Sequence, residues 1–153
     1  MTPTADELVL THDTQYRVCY ADVDRMGYVY HGHYLRLFEI GRNEMLRSMY
    51  GSYAELEDNG YMLPCRHAEI EYLRPARLDD LLTIRTIVDQ LPRVRFQCRG
   101  EIYGAAQELL TKYRMTLVFA DTRTGKPRRA PADLVRRLQT RLVSAAAATT
   151  QPQ

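Results

Sequence analysis

The chain has 153 residues, 45% of them hydrophobic and 26% charged, enough for one domain with a sizeable core and too few for two cofactor-sized domains. A net charge of +2 is too small for a protein whose main partner is nucleic acid, since that backbone is bound through dense cationic surface. No apolar run approaches the ~20 residues needed to span a bilayer, and the N-terminus lacks the basic-then-apolar order of a secretory signal; a soluble, cytoplasmic protein is expected.

The cations are 19 Arg against 2 Lys. Arginine forks match phosphate oxygens two at a time, so a phosphate-bearing ligand fits this skew; a lineage bias in codon use fits it equally. Cys19, Cys65 and Cys98 are odd in number and stand in no metal-ligand spacing. Reduced thiols packed in the core are expected of them.

Residues 1–14 are polar and without period, and are expected to form a flexible arm ahead of a single domain over 15–143. The alternating run Gln15 to Tyr20 predicts a strand. A turn-like segment follows over Asp22 to Gly27, and a helix is predicted from near Gly32. Tyr34, Leu37, Phe38, Gly41, Met45 and Met49 hold one helical stripe, with Arg36, Glu39, Asn43 and Arg47 on the other faces. Gly51 closes that helix.

Beyond Gly60 the period becomes two. Ala68, Ile70 and Tyr72 alternate with His67, Glu69 and Glu71 until Pro75 ends the strand. Further strands are predicted around Leu82, Ile84 and Val88, around Val94 to Ile102, and from Leu109 to Phe119, as an antiparallel meander. Asp121 to Arg129 reads as a basic loop. Pro131 opens a short last helix with Leu134, Val135, Leu138 and Leu142 on its apolar side. The tail over 144–153 is expected to be disordered. The pattern predicts an α+β domain, a five-stranded antiparallel sheet around one long helix, with edges that invite a homodimer.

The densest cluster of reactive side chains is Asp22, Asp24, His31 and His33, spread over a turn and the start of the long helix. A helix N-terminus offers unpaired N–H groups and a positive dipole end, which suits a developing oxyanion. A carboxylate beside it can serve as base or nucleophile. Both halves of an acyl-transfer site therefore lie in one short segment. In a turn, Asp more often hydrogen-bonds backbone N–H groups, and that role is expected of Asp22.

Asp22-x-Asp24-x-x-Gly27-x-Val29, then Tyr34-Leu35 and Phe38-Glu39, closely resembles the 4-hydroxybenzoyl-CoA thioesterase family. Val29-Tyr30-His31 is similar to its bacterial acyl-CoA branch. Tyr28 departs from the aliphatic residue usual at that position. The similarity extends from about Tyr16 to Leu138 and takes in Tyr72-Leu73-Arg74-Pro75-Ala76 and Asp79-Asp80-Leu81-Leu82.

The resemblance implies the hotdog fold and a thioesterase acting on an acyl-CoA or an acyl-carrier-protein thioester, with no cofactor beyond that substrate. It implies Asp24 as the essential carboxylate, attacking the thioester or activating water. The backbone N–H at His31 would polarise the carbonyl, and its imidazole would assist water or the leaving thiolate. Tyr30 and Tyr34 are implied to touch substrate. Leu63 and Pro64 are implied to line the neighbouring subunit's acyl tunnel, or else to be an ordinary strand entry. Arg93, Arg128 and Arg129 stand where coenzyme A phosphates would lie, a solvated basic surface being the alternative. A homodimer or dimer of dimers is implied. His33 is expected to be an exposed first-turn residue and Glu39 a structural ion-pair partner.

Two other classes compete. A metal-binding protein would draw on Asp22, Asp24, His31 and His33, although two histidines two apart at a helix start point to different sides. A hotdog protein that binds acyl thioesters without hydrolysing them would have no need of Asp24.

Overall fold

The computed structural model describes residues 9–149, with side chains placed as far as Leu142. The expected arm at residues 1–8 and the last four residues of the expected tail lie outside the described residues. In chain order the elements are β1 (Leu10–Arg17), two 3₁₀ turns (Tyr20–Asp22 and His31–His33), α1 (Tyr34–Met49), α2 (Tyr53–Asp58) and β2 (Tyr61–Met62). There follow β3 (Cys65–Tyr72), β4 (Leu81–Val88), β5 (Arg95–Tyr103), β6 (Leu109–Val118), β7 (Ala120–Asp121) and α3 (Ala132–Thr149). The architecture is that of the hotdog fold, five antiparallel strands around α1.

Helix α1 buries the predicted stripe from Tyr34 to Met49, together with Leu46 and Arg42. At Gly41 the sheet comes close: a Cβ there would stand 2.6 Å from Ile84 Cγ2 and 2.9 Å from Thr86 Oγ1. Phe38, fully buried, stacks on Tyr113 of β6 at 3.8 Å. Arg42 is a buried cation that reaches Tyr53 Oη and Met115 Sδ rather than a carboxylate; its place in the stripe was not expected.

The strand order is β1-β4-β5-β6-β3. Only β4, β5 and β6 form the expected meander. β3 crosses to the far edge to pair with β6, and β1 takes the place beside β4. The eight residues between β3 and β4 make that crossover possible, because a tight hairpin would have forced the two strands to be neighbours. β1 begins at Leu10 rather than Gln15 and ends at Arg17, so residues 10–14 belong to the sheet. Their inward positions, His12 and Thr14, are polar, which hid the alternation.

Ala68, Ile70 and Tyr72 of β3 pair with Met115, Tyr113 and Thr111, all buried. They therefore share the inner face of the sheet, yet β3 itself stays exposed apart from a half-buried Ile70. An open edge with an uncovered apolar row is the expected pairing surface.

Helix α3 packs Leu134, Leu138 and Leu142 inward. Its Arg137 donates to the Tyr50 carbonyl at 3.0 Å and Arg141 to the Ser48 carbonyl at 3.2 Å. These are carbonyls that the end of α1 leaves without helical partners. The helix continues to Thr149, so residues 144–149, expected to be disordered, are helical. Cys98 is core as expected, and burial pushes its thiol up to about 11; Cys19 and Cys65 are exposed, against expectation. Among the described residues no helix is long and apolar enough to cross a membrane.

Candidate active site

The segment between β1 and α1 is fixed at both ends. Val18 exchanges backbone hydrogen bonds with Asp79 and Asp80, and the Val29 N–H donates to the Ala76 carbonyl at 2.9 Å. Between them the chain doubles back. Val23 bridges Val29, the Asp24 N–H donates to Tyr28 O, and the Gly27 N–H donates to Asp24 O, each at 3.0 Å. Gly27 has φ +78°, a left-handed conformation that favours glycine.

Asp22 has no exposed surface. Its Oδ2 accepts from Tyr16 Oη at 2.8 Å, from the Cys19 N–H at 2.8 Å and from Cys19 Sγ at 3.2 Å, while Arg36 of α1 donates to Oδ1. Burial alone would raise its pKa, but the Cys19 N–H, Tyr16, the Cys19 thiol and Arg36 together hold it below the ordinary carboxylate value. The Asp22 carbonyl also receives the Tyr30 N–H and contacts His33 Nδ1 at 3.0 Å. Asp22 is thus the loop's anchor, and His33 is half-buried against it rather than an exposed residue.

Asp24 is half-buried. Its Oδ1 accepts from the Met26 N–H at 2.8 Å, and its Oδ2 has no hydrogen bond among the described residues. With Met26, Tyr28, His31 and Tyr34 it lines a cleft of about 280 Å³ whose opposite wall is Tyr72, Leu73, Arg74 and Pro75. Two larger depressions, of about 520 and 350 Å³, lie on the outer sheet face between charged side chains such as Glu69, Arg99 and Arg114, away from the reactive loop. The smaller cleft is the more apolar, as a ligand site commonly is.

His31 is exposed at the cleft's rim, its ring 4.3 Å from that of Tyr30. The N–H groups of His31 and Gly32 fall in the first turn before α1, where no helical carbonyl faces them. Tyr34 is buried beneath the cleft; burial pushes its phenol up, partly offset by the Ala76 backbone and the Thr111 hydroxyl. Asp24, with its free oxygen, and His31, at the N-terminal turn of the helix, therefore line one apolar space, an arrangement suited to attack on a polarised carbonyl.

Not every candidate gathers there. Tyr30 lies over Gly32 and against His31 and His33, outside the cleft's lining. Leu63 is buried, and the Pro64 carbonyl accepts the Val118 N–H. Arg93 and Arg129 are exposed. Arg128 is already engaged, 3.8 Å over the Tyr61 ring, bonded to Gly60 O and 3.5 Å from Asp121. Leu63, Pro64 and the three arginines adjoin the Cys65 end of β3 and the Val118 end of β6. At about 3.3 Å per residue, the length of β3 sets them roughly 23 Å from Tyr72 and the cleft.

Glu39 is exposed and makes no ion pair among the described residues, contrary to the partner role expected of it. The four possible metal ligands do not converge: Asp22 is spent on protein donors and His33 on the Asp22 carbonyl. Among the described residues no group of three or more His, Cys, Asp or Glu side chains is placed to hold a metal ion. Met26, Tyr28, Tyr72, Leu73, Arg74 and Pro75 had no assigned part in the site. Only the departure at Tyr28 and the strand-ending Tyr72-Leu73-Arg74-Pro75 hinted at them.

The family model of the thioesterase-like superfamily matches residues 18–138. The chain is 34% identical over 119 residues to "Acyl-CoA thioester hydrolase YbgC" of Escherichia coli O6:H1, covering 78% of this chain and 89% of that one. It is 32% identical over 104 residues to "Acyl-CoA thioesterase YbgC" of Helicobacter pylori, covering 68% and 76%. Among solved structures, a DHNA-CoA thioesterase from Staphylococcus aureus superposes with a TM-score of 0.81 at 24% identity, over 93% of this chain and 97% of that one. A Bartonella henselae structure described as a probable thioesterase superposes with a TM-score of 0.75 at 36% identity, over 80% and 100%.

Proposed function

The chain belongs to the thioesterase-like superfamily, and on that premise we propose that it hydrolyses acyl-CoA thioesters with Asp24 as the working carboxylate. One observation carries the reading: Asp24, with an unbonded carboxylate oxygen, and His31, at the start of the turn before α1, line the same cleft. The thioester carbonyl oxygen points at the His31 N–H, where the positive end of α1 stabilises the charge that develops on it. The acyl group lies against Tyr34, Tyr28 and Met26, with Tyr30 at the rim.

Asp24 has two routes. As general base it takes a proton from water while the water oxygen bonds to the carbonyl carbon. The tetrahedral intermediate then collapses, the C–S bond breaks, and the thiolate leaves and regains a proton. As nucleophile, an Asp24 oxygen displaces the thiolate, and water then cleaves the resulting anhydride. The His31 imidazole is the nearest side chain able to pass a proton to water or thiolate. A single turnover in ¹⁸O-labelled water tests the nucleophilic route: label in the Asp24 carboxylate requires an anhydride cleaved at the Asp24 carbonyl, which the general-base route never forms.

The exposed β3 edge favours a homodimer. Antiparallel pairing of β3 with its copy sets the Leu63–Pro64 end of one protomer beside the Tyr72 end of the other. The same pairing brings the partner's basic end toward the cleft, where Arg93 and Arg129, and Arg128 if released from Asp121, meet the phosphates of coenzyme A. Dimer pairing into a tetramer and a cytoplasmic home, in keeping with three unpaired cysteines, complete the reading. Sedimentation of the wild type as a dimer and of Ile70→Lys as a monomer is expected; a monomeric wild type would remove the edge-pairing argument.

The decisive test is release of free thiol from a panel of short, long, branched and aromatic acyl-CoAs and acyl-carrier-protein thioesters. Turnover of at least one acyl-CoA is expected. Tight binding without release from any of them would leave a non-hydrolytic acyl-thioester binder as the function.

A further inference from the structure

Tyr72 closes the edge strand β3, far in sequence from the reactive loop, and its hydroxyl donates to the His31 carbonyl at 2.9 Å. Its ring meets that of buried Tyr34 edge-on, with centroids 5.3 Å apart, which sets the direction of the hydroxyl. The carbonyl it holds belongs to the peptide unit whose N–H is that of Gly32. Because the unit is planar and trans, fixing the oxygen fixes that N–H on the opposite side. A donor on the oxygen also polarises the unit and strengthens its N–H as a donor.

The same peptide is confined from a second direction. A Cβ at Gly32 would stand 2.8 Å from Tyr30 Cε1, so the Tyr30 ring lies directly over the glycine. One tyrosine presses on the turn and another ties its carbonyl, while the His33 N–H closes on Tyr30 O at 2.9 Å. The turn so clamped carries the His31 N–H and imidazole that the hydrolytic reading uses, that N–H lying in the peptide unit just before the one Tyr72 holds. A tyrosine that merely anchored the end of β3 would have no reason to take its acceptor from this turn.

We propose that Tyr72 is a positioning residue of the reaction: its hydroxyl holds the His31–Gly32 peptide and so fixes His31, whose N–H is presented to the thioester carbonyl. This rests on the hydrolase reading above. It also makes the open edge of the sheet part of the active site, since the residue that orders the turn is the last of β3.

The test is Tyr72→Phe, which keeps the ring and removes only the donor. Turnover on the best acyl-CoA is expected to fall about tenfold in kcat, the rate equivalent of one hydrogen bond, with KM changed by less than about twofold. The exposed bond contributes little to folding, so Tm should move by no more than about 2 °C. Amide exchange at Tyr30 and His33 should quicken while the middle of α1 keeps its protection. Asp24→Asn serves as the control, losing turnover with no change in exchange. Unchanged exchange at Tyr30 and His33 in Tyr72→Phe overturns the proposal, and so does faster exchange with undiminished kcat. A wild type that releases no thiol sinks the hydrolase reading instead, and the exchange arm still decides whether Tyr72 orders the turn.

Discussion

Asp22 lies without exposed surface and gives both carboxylate oxygens to protein donors, whereas Asp24, two residues on, is half-buried and gives one. The difference follows from the elements around them. Asp22 ends a 3₁₀ turn that points under the loop, where Tyr16 of β1 and Arg36 of α1 converge. Asp24 begins the tight turn closed by Gly27, on the side that faces the cleft. A carboxylate saturated with donors is held ionised and immobile, which suits an anchor and disqualifies a base. A carboxylate with a free oxygen beside an apolar cleft keeps the capacity to accept a proton or attack. The two halves of one loop thus divide support from chemistry.

The sharpest way to break this division is Asp24→Asn. Loss of at least ~100-fold in kcat with an unchanged denaturation midpoint is expected; wild-type rates on the best acyl-CoA would remove Asp24 from the mechanism. Asp22→Ala should do the reverse. Urea unfolding should show a loss of about 2 kcal/mol, because the charge-assisted hydrogen bonds that the buried Asp22 carboxylate accepts from Tyr16, Cys19 and Arg36 are lost, while activity per folded molecule drops far less than for Asp24→Asn.

Acid sharpens the same contrast. Asp22 has its folded pKa depressed below the ordinary 3.8, so the stability it contributes is present above about that pH. It is lost as pH falls through the folded value. Urea midpoints followed from pH 7 to pH 3 should therefore decline on the acid side in the wild type and decline less in Asp22→Asn. The smallest effect is expected of Arg36→Met. Its side chain is 49% exposed, so solvent screens the pair and about 0.5–1 kcal/mol should be lost. A larger loss would mean that Arg36, rather than the loop's own donors, is what holds Asp22.

Much of the fold is legible in the sequence. The stripe on α1 is legible because a helix with one buried face repeats its apolar residues every three or four positions, and Tyr34, Leu37, Phe38, Gly41, Met45 and Met49 are all buried. The strands from β4 to β6 are legible for the same reason at period two. The position of β3 was not, since strand order depends on which edges meet in space and leaves no local mark. Nor was the helical stretch at residues 144–149: a run rich in alanine reads as low complexity, although alanine is the best helix former.

Within the site, Asp24, His31 and Tyr34 were reachable because they lie close together in sequence. The wall from Tyr72 to Pro75 was not, because what joins it to the loop is a contact across 41 residues. The place of Glu39 on the helix, two turns from His31, suggests an ion pair, but the arginines three residues to either side turn elsewhere, Arg36 to Asp22 and Arg42 to Tyr53.

Met26 serves the site through its backbone, since its N–H fixes the Asp24 carboxylate, while its side chain is 70% exposed at the cleft wall. The two duties do not compete. Any residue except proline supplies that N–H, so position 26 is free to change size and polarity without moving the reactive oxygen. Natural drift or laboratory selection for a new acyl group therefore has an inexpensive place to begin, and a library at position 26 should yield altered substrate ranking among variants that all keep the Asp24 turn.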